Sequence, residues 1–224
     1  MQTVLRREKE RVKECLRSRN WEEIEASVAR DPRLLGLLIW ALYQADEELA
    51  WRAAEGFGRA VAVLVGDKEE FCKDKMRRLY WALNDESGIS GRFVAPAIAE
   101  AVARSPEVFG ENALIIMNVL DEPYLQAGAA WAFGRVGGVR PELVAEISPR
   151  LRRLLQSPDP EVRGNAAWAL GEMMATEAAQ ELEALASDEG RLNIFTNGIL
   201  HQTTVGELVR AAREKLRRDG GRLA

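Results

Sequence analysis

One pattern recurs four times along this chain, and it leaves few folds open. The segments LAWRAAEGFGR (49–59), LQAGAAWAFGR (125–135) and VRGNAAWALGE (162–172) align without gaps. Each begins on an aliphatic residue, carries Ala-Ala at its fifth and sixth positions and an apolar residue at its ninth. The tenth is Gly58, Gly134 or Gly171. The wide gap between the first two copies is filled by SGRFVAPAIAE (90–100), with Val94-Ala95, Ile98 and Ala99 in the same places. Repeats separated by 35–41 residues predict a stack of small supersecondary units, none of which buries its apolar face alone.

Each copy follows a turn signal. These are Ala45-Asp46, Asn84-Asp85-Glu86-Ser87-Gly88, Asp121-Glu122-Pro123 and Ser157-Pro158-Asp159-Pro160. Asp and Ser accept hydrogen bonds from the free amides of a helix start, and Pro suits its first turn. Apolar residues at spacings of three and four precede the turns, as in Leu34, Leu35, Leu38, Ile39 and Leu42, or Leu143, Ile147, Leu151, Leu154 and Leu155. Each unit therefore reads as a first helix, a short turn and a second helix. Ala-Ala and Gly let neighbouring helices approach closely, so a leucine at 134 or 166 is expected to overpack the stack.

The best copy, PRLRRLLQSPDPEVRGNAAWALGEM (149–173), resembles a HEAT repeat, and more narrowly the HEAT-like class of the phycobilin lyases. The residues that carry the likeness are Leu151, Leu154, Leu155, Asp159, Pro160, Val162, Arg163, Ala166, Ala167, Leu170 and Gly171. The resemblance spans roughly 31–187. It implies an all-α superhelix, a HEAT-like solenoid of one domain over 1–224, with the second helix of each pair lining a concave side. Residues 1–30 are expected to cap the first repeat, with Leu5, Val12, Cys15, Leu16, Trp21, Ile24 and Val28 turned inward.

The chain departs from the pattern over 188–224. Asn197-Gly198 lies between LNIFT and ILHQTT, two short runs rich in β-branched residues, which predicts a small β-hairpin. Thr204-Val205-Gly206-Glu207 then fits a capping box opening a last helix through Leu208, Ala212 and Leu216.

Candidate chemistry is sparse. His201 is the single histidine and is expected on the hairpin, while Cys15 and Cys72 are far apart, so no metal site is expected. No nucleophile elbow, HExxH, P-loop or dinucleotide fingerprint occurs. Asp85-Glu86 and Asp121-Glu122 are read as helix caps. No catalytic residue and no cofactor are expected. The first residues carry no apolar signal region, no apolar run reaches membrane length, and the two cysteines are read as reduced thiols, which points to a cytoplasmic chain without a membrane partner.

Charge narrows the partners. Residues 1–19 hold seven Lys/Arg against three Asp/Glu, and residues 210–222 hold six against two. The remaining body holds 18 against 30, a net of −12 in a chain of −4. An acidic body repels a phosphate backbone, so no nucleic-acid partner is expected, and a HEAT-type DNA-repair enzyme is disfavoured.

The helix wheel singles out one row. With Val162, Ala166, Leu170 and Met173 as the buried stripe at about 100° per residue, Glu161, Asn165, Trp168 and Glu172 fall opposite, Trp168 roughly 160° from its centre. The equivalent positions are Tyr124, Gly128, Trp131 and Arg135; Ile89, Phe93, Pro96 and Glu100; and Glu48, Arg52, Glu55 and Arg59. The expected recognition surface is thus Phe93, Tyr124, Trp131 and Trp168 in a concave groove, edged by Arg59, Glu100, Arg135 and Glu172. The alternative is that curvature buries these rings against neighbouring helices. Trp21, Trp40, Trp51 and Trp81 are read as core. The function these residues predict is a non-catalytic scaffold for a protein or peptide. The lyase resemblance adds a second possibility, a lyase or chaperone-like protein for a tetrapyrrole-type group.

Overall fold

Several helices begin where a side chain caps them. In the computed structural model, which describes residues 2–84 and 91–220, Asn20, Asp46 and Asp159 each accept a backbone amide of the following turn. The turn expected at 84–88, together with Ile89 and the first residue of the 90–100 copy, falls largely outside the described residues. The chain divides into two compact units, 1–110 and 111–224.

In the first unit, α1 (Gln2–Ser18) and α2 (Trp21–Arg30) join through Arg19, whose φ of 54° turns the chain back. Leu16, Ile24 and Val28 are buried, whereas Leu5 is exposed. A short 3-10 turn over Pro32–Leu34 leads into α3 (Leu35–Ala41), which buries Leu35, Leu38 and Ala41. Helix α4 runs over Glu47–Leu83, broken by the non-helical backbone of Lys68. The first repeat copy and the helix that follows it are thus joined by a kink and not by a turn. Helix α5 (Val94–Arg104) packs on α4 and is buried at every residue from Val94 to Ala103, and α6 (Pro106–Phe109) follows.

In the second unit, a 3-10 stretch over Gly110–Val119 precedes α7 (Gln126–Gly137). Asp121 and Glu122 do not cap α7 with their side chains, contrary to expectation; the Asp121 carboxylate pairs with Arg150 instead. Two 3-10 turns and α8 (Ser148–Leu154) lead to α9 (Pro160–Glu172), then a 3-10 turn and α10 (Ala179–Ala184). Strands β1 (Arg191–Thr196) and β2 (Ile199–Thr204) form the expected antiparallel hairpin, pairing Thr196 with Ile199 and Arg191 with Thr204. Asn197 and Gly198 have φ of 55° and 75°, the positive values a two-residue primed turn needs. Helix α11 (Val205–Gly220) opens on the expected capping box: the Glu207 amide donates to Thr204 Oγ1 at 3.3 Å, and the Thr204 amide donates to Glu207 Oε2 at 3.0 Å.

The glycines of the repeat sit at the points of closest helix approach. A Cβ on Gly58 would lie 2.6 Å from the Glu100 backbone on α5. One on Gly134 would lie 2.8 Å from Ala169 Cα on α9, and one on Gly171 would lie 2.7 Å from Ala212 Cα on α11. One alignment position therefore sets three helix pairs, α4 with α5, α7 with α9 and α9 with α11.

Candidate interaction surface

The row picked out on the second helices takes a different chemistry in each unit. In the first it is a ladder of ion pairs. Arg52 pairs with Glu48 and donates to the Arg17 carbonyl at 2.7 Å. Arg59 donates to Glu55 at 3.0 Å, reaches Glu25 of α2 at 3.3 Å and lies 5.1 Å above the Trp21 ring. Arg104 joins Glu100 at 2.9 Å to Glu55 at 3.5 Å. Glu55 and Glu100 are 7% and 3% exposed. Removing one partner of such a pair strands its mate, which costs roughly 3–5 kcal/mol. Arg59 and Glu100 therefore tie α2, α4 and α5 together, and Glu100 is not the exposed edge charge expected. Phe93 is also inside, 8% exposed, its ring edge-on to Trp51 at 5.4 Å.

In the second unit the row is aromatic and largely covered. Trp131 is 2% exposed, which corrects its placement in an open groove. It stacks on Trp168 at 5.7 Å with 14° between the rings, and its indole Nε1–H donates to the Phe195 carbonyl of β1 at 2.7 Å. Phe195 adds a tilted ring at 6.2 Å. The hairpin thus covers Trp131, leaving Trp168 half-buried. Glu172 pairs with Lys215 of α11, and Arg135 is half-buried. Tyr124 alone of the four aromatics stands in solvent, at 70% exposure.

The reason lies in α7 itself. Arg135 is its single charged residue, and a helix that is apolar all round is a buried helix. Helix α7 therefore presents no wet face on which Trp131 could stand open.

The hairpin is anchored by polar contacts as well as by packing. Asp188 accepts from Arg163 Nε at 2.8 Å and from the Gly190 amide at 2.8 Å. The guanidinium holds the Asp188 carboxyl below the usual carboxylate range. Leu192 and Leu208 fill the space left by Gly164 of α9.

Trp81 departs from expectation in the opposite direction. It is 76% exposed, not core. The signal was available: Cys72, Met76, Leu79 and Leu83 form the buried stripe of this part of α4. Trp81 falls about half a turn from its centre. Trp51 is buried, while Trp21 and Trp40 are half-buried under Arg59 and under Lys9 and Lys13. His201 is exposed on β2, and burial raises both thiols, Cys72 to about 11. Among the described residues, no cluster of His, Cys, Asp and Glu could hold a metal ion, and no helix is long and apolar enough to cross a membrane.

Residues 123–173 match the HEAT-like repeat, and residues 162–188 match the PBS lyase HEAT-like repeat. This part of the chain is a HEAT-like repeat. It comprises α7, α8, α9 and α10, and includes Gly134 and Gly171, two of the three glycines that set the approach distances above. An uncharacterized protein of Archaeoglobus fulgidus is 34% identical over 113 residues, which are 50% of this chain and 56% of that protein. The chain thus spans about half the length of that relative. A crystal structure of an engineered protein shares the fold, with a TM-score of 0.57 and 20% identity over 94% of this chain and 90% of that one. The helices over 123–188 thus form a HEAT-like helical repeat scaffold.

Proposed function

We propose that this scaffold is non-catalytic and binds a protein or peptide along the row of the HEAT-like repeat, with Tyr124 as the apolar anchor. Trp168, Arg135 and Glu172 complete the surface in this reading. In the first unit, Arg59, Glu100 and Phe93 serve to hold the helices that carry the row. The observation that carries the reading is the exposure of Tyr124, at 70% in a repeat that buries Trp131, Phe133 and Leu151. A row that holds an exposed Tyr together with Arg and Trp has the composition of binding hot spots, because such rings bury much area at little entropic cost.

Photo-crosslinking in the source cells tests it. A photoreactive residue at 124 should give a discrete protein adduct that Arg135→Glu weakens. The same probe at 81 is the comparison. Adducts at 81 and none at 124 would move the binding surface off the row and defeat the proposal.

A further inference from the structure

The hairpin has a second edge, and its hydrogen bonds can be placed from the register. The Asn197-Gly198 turn makes Thr196 and Ile199 a pair that exchanges bonds, and such pairs alternate along antiparallel strands. Ile194 with His201 and Leu192 with Thr203 therefore bond inside the hairpin, while Phe195, Leu200 and Gln202 turn their backbone groups outward. The Phe195 carbonyl bears this out, since it accepts Trp131 Nε1–H from outside the hairpin. On the opposite edge, no backbone or side chain among the described residues bonds to Leu200 or Gln202.

Protein sheets protect such edges with lysine, proline or a bulge. Strand β2, ILHQTT, has no charged residue and no proline, and its pairing with β1 runs without a bulge. Ile199, His201 and Gln202 are exposed along it.

We propose that this edge is the docking site for a second copy of the chain. The open stretch is short. The turn closes it at one end, and at the other the Thr204 amide is already taken by Glu207. A complementary strand must therefore make its bonds across Leu200–Gln202. Strand β2 is itself such a strand. A two-fold axis at His201 lets Leu200 exchange both backbone bonds with Gln202 of the second copy, and Gln202 with its Leu200. Ile199 then faces Thr203, a β-branched pair of the kind that stabilises adjacent strands. With no charged side chain on the strand, the symmetry sets no like charges opposite each other. The operation closes on itself and gives a dimer, not a fibre.

Sedimentation equilibrium on the full chain should show a mass rising with concentration from 25.0 kDa toward twice that value. His201→Lys sets two ammonium groups across the axis, and Gln202→Pro removes an outward amide while leaving the β1–β2 ladder intact. Each should raise the dimer dissociation constant at least about tenfold, with the emission of Trp131 showing that the hairpin stays docked. Independently of any variant, the Leu200 and Gln202 amides of the unmodified chain should exchange more slowly as concentration rises. A monomer at every concentration up to about 1 mM would overturn the proposal. So would a dimer that neither variant weakens, or amide protection that needs an added foreign peptide.

Discussion

Gly58 concentrates the logic of the repeat into one missing methyl group. Its neighbour across the helix pair is the backbone of Glu100, 2.6 Å from where a Cβ would sit, and backbone has no rotamer with which to move aside. Gly58→Ala should therefore force α4 and α5 apart and cost about 1–3 kcal/mol. Gly36 in α3 is the control, because a Cβ there meets nothing within 4 Å. Gly36→Ala should instead stabilise by roughly 0.4–1 kcal/mol, by reducing the freedom of the unfolded chain. Urea unfolding midpoints of the two variants should move in opposite directions. The positions of Gly58, Gly134 and Gly171 were legible in the sequence because each close approach occupies the same place in every copy. For Trp131 only part was legible: the apolar run of α7 marks it as buried, but its hydrogen-bond partner, Phe195, lies 64 residues away.

The hairpin shows the same divide for a whole element. Its turn, its strands and the capping box after it are local features, and each was readable from a few adjacent residues. Its docking on Trp131 and Gly164 is not local, and neither is the Arg163–Asp188 pair that fixes its entry. That pair makes the element sensitive to acid. The folded Asp188 carboxyl titrates below its unfolded value, which is near 3.9. The stability it contributes is therefore fully present above about pH 4 and is lost as pH falls through the lower folded value. Asp188→Asn should be less stable than the parent near neutrality and should lose less stability on acidification. Urea midpoints followed by tryptophan emission from about pH 6 to about pH 2.5 would measure this. Parallel pH profiles for the two proteins would show that the pair does not carry the effect.

For the whole molecule, charge is the property that selects among partners. The body between the basic ends has a net charge of −12, and the structure adds where its arginines point. Arg52, Arg59, Arg104, Arg150, Arg152 and Arg163 each pair with a carboxylate of their own unit. A phosphate backbone would have to displace those carboxylates, and the remaining acidic groups would repel it. Binding to nucleic acid rests on unpaired protein cations displacing the counterions of the phosphates, so this arrangement opposes it twice. A gel-shift titration with duplex DNA at low salt, where such attraction is strongest, should show no retarded band. A shift that weakens steeply as salt is added would mean that the basic ends act as a phosphate-binding surface in spite of the acidic body.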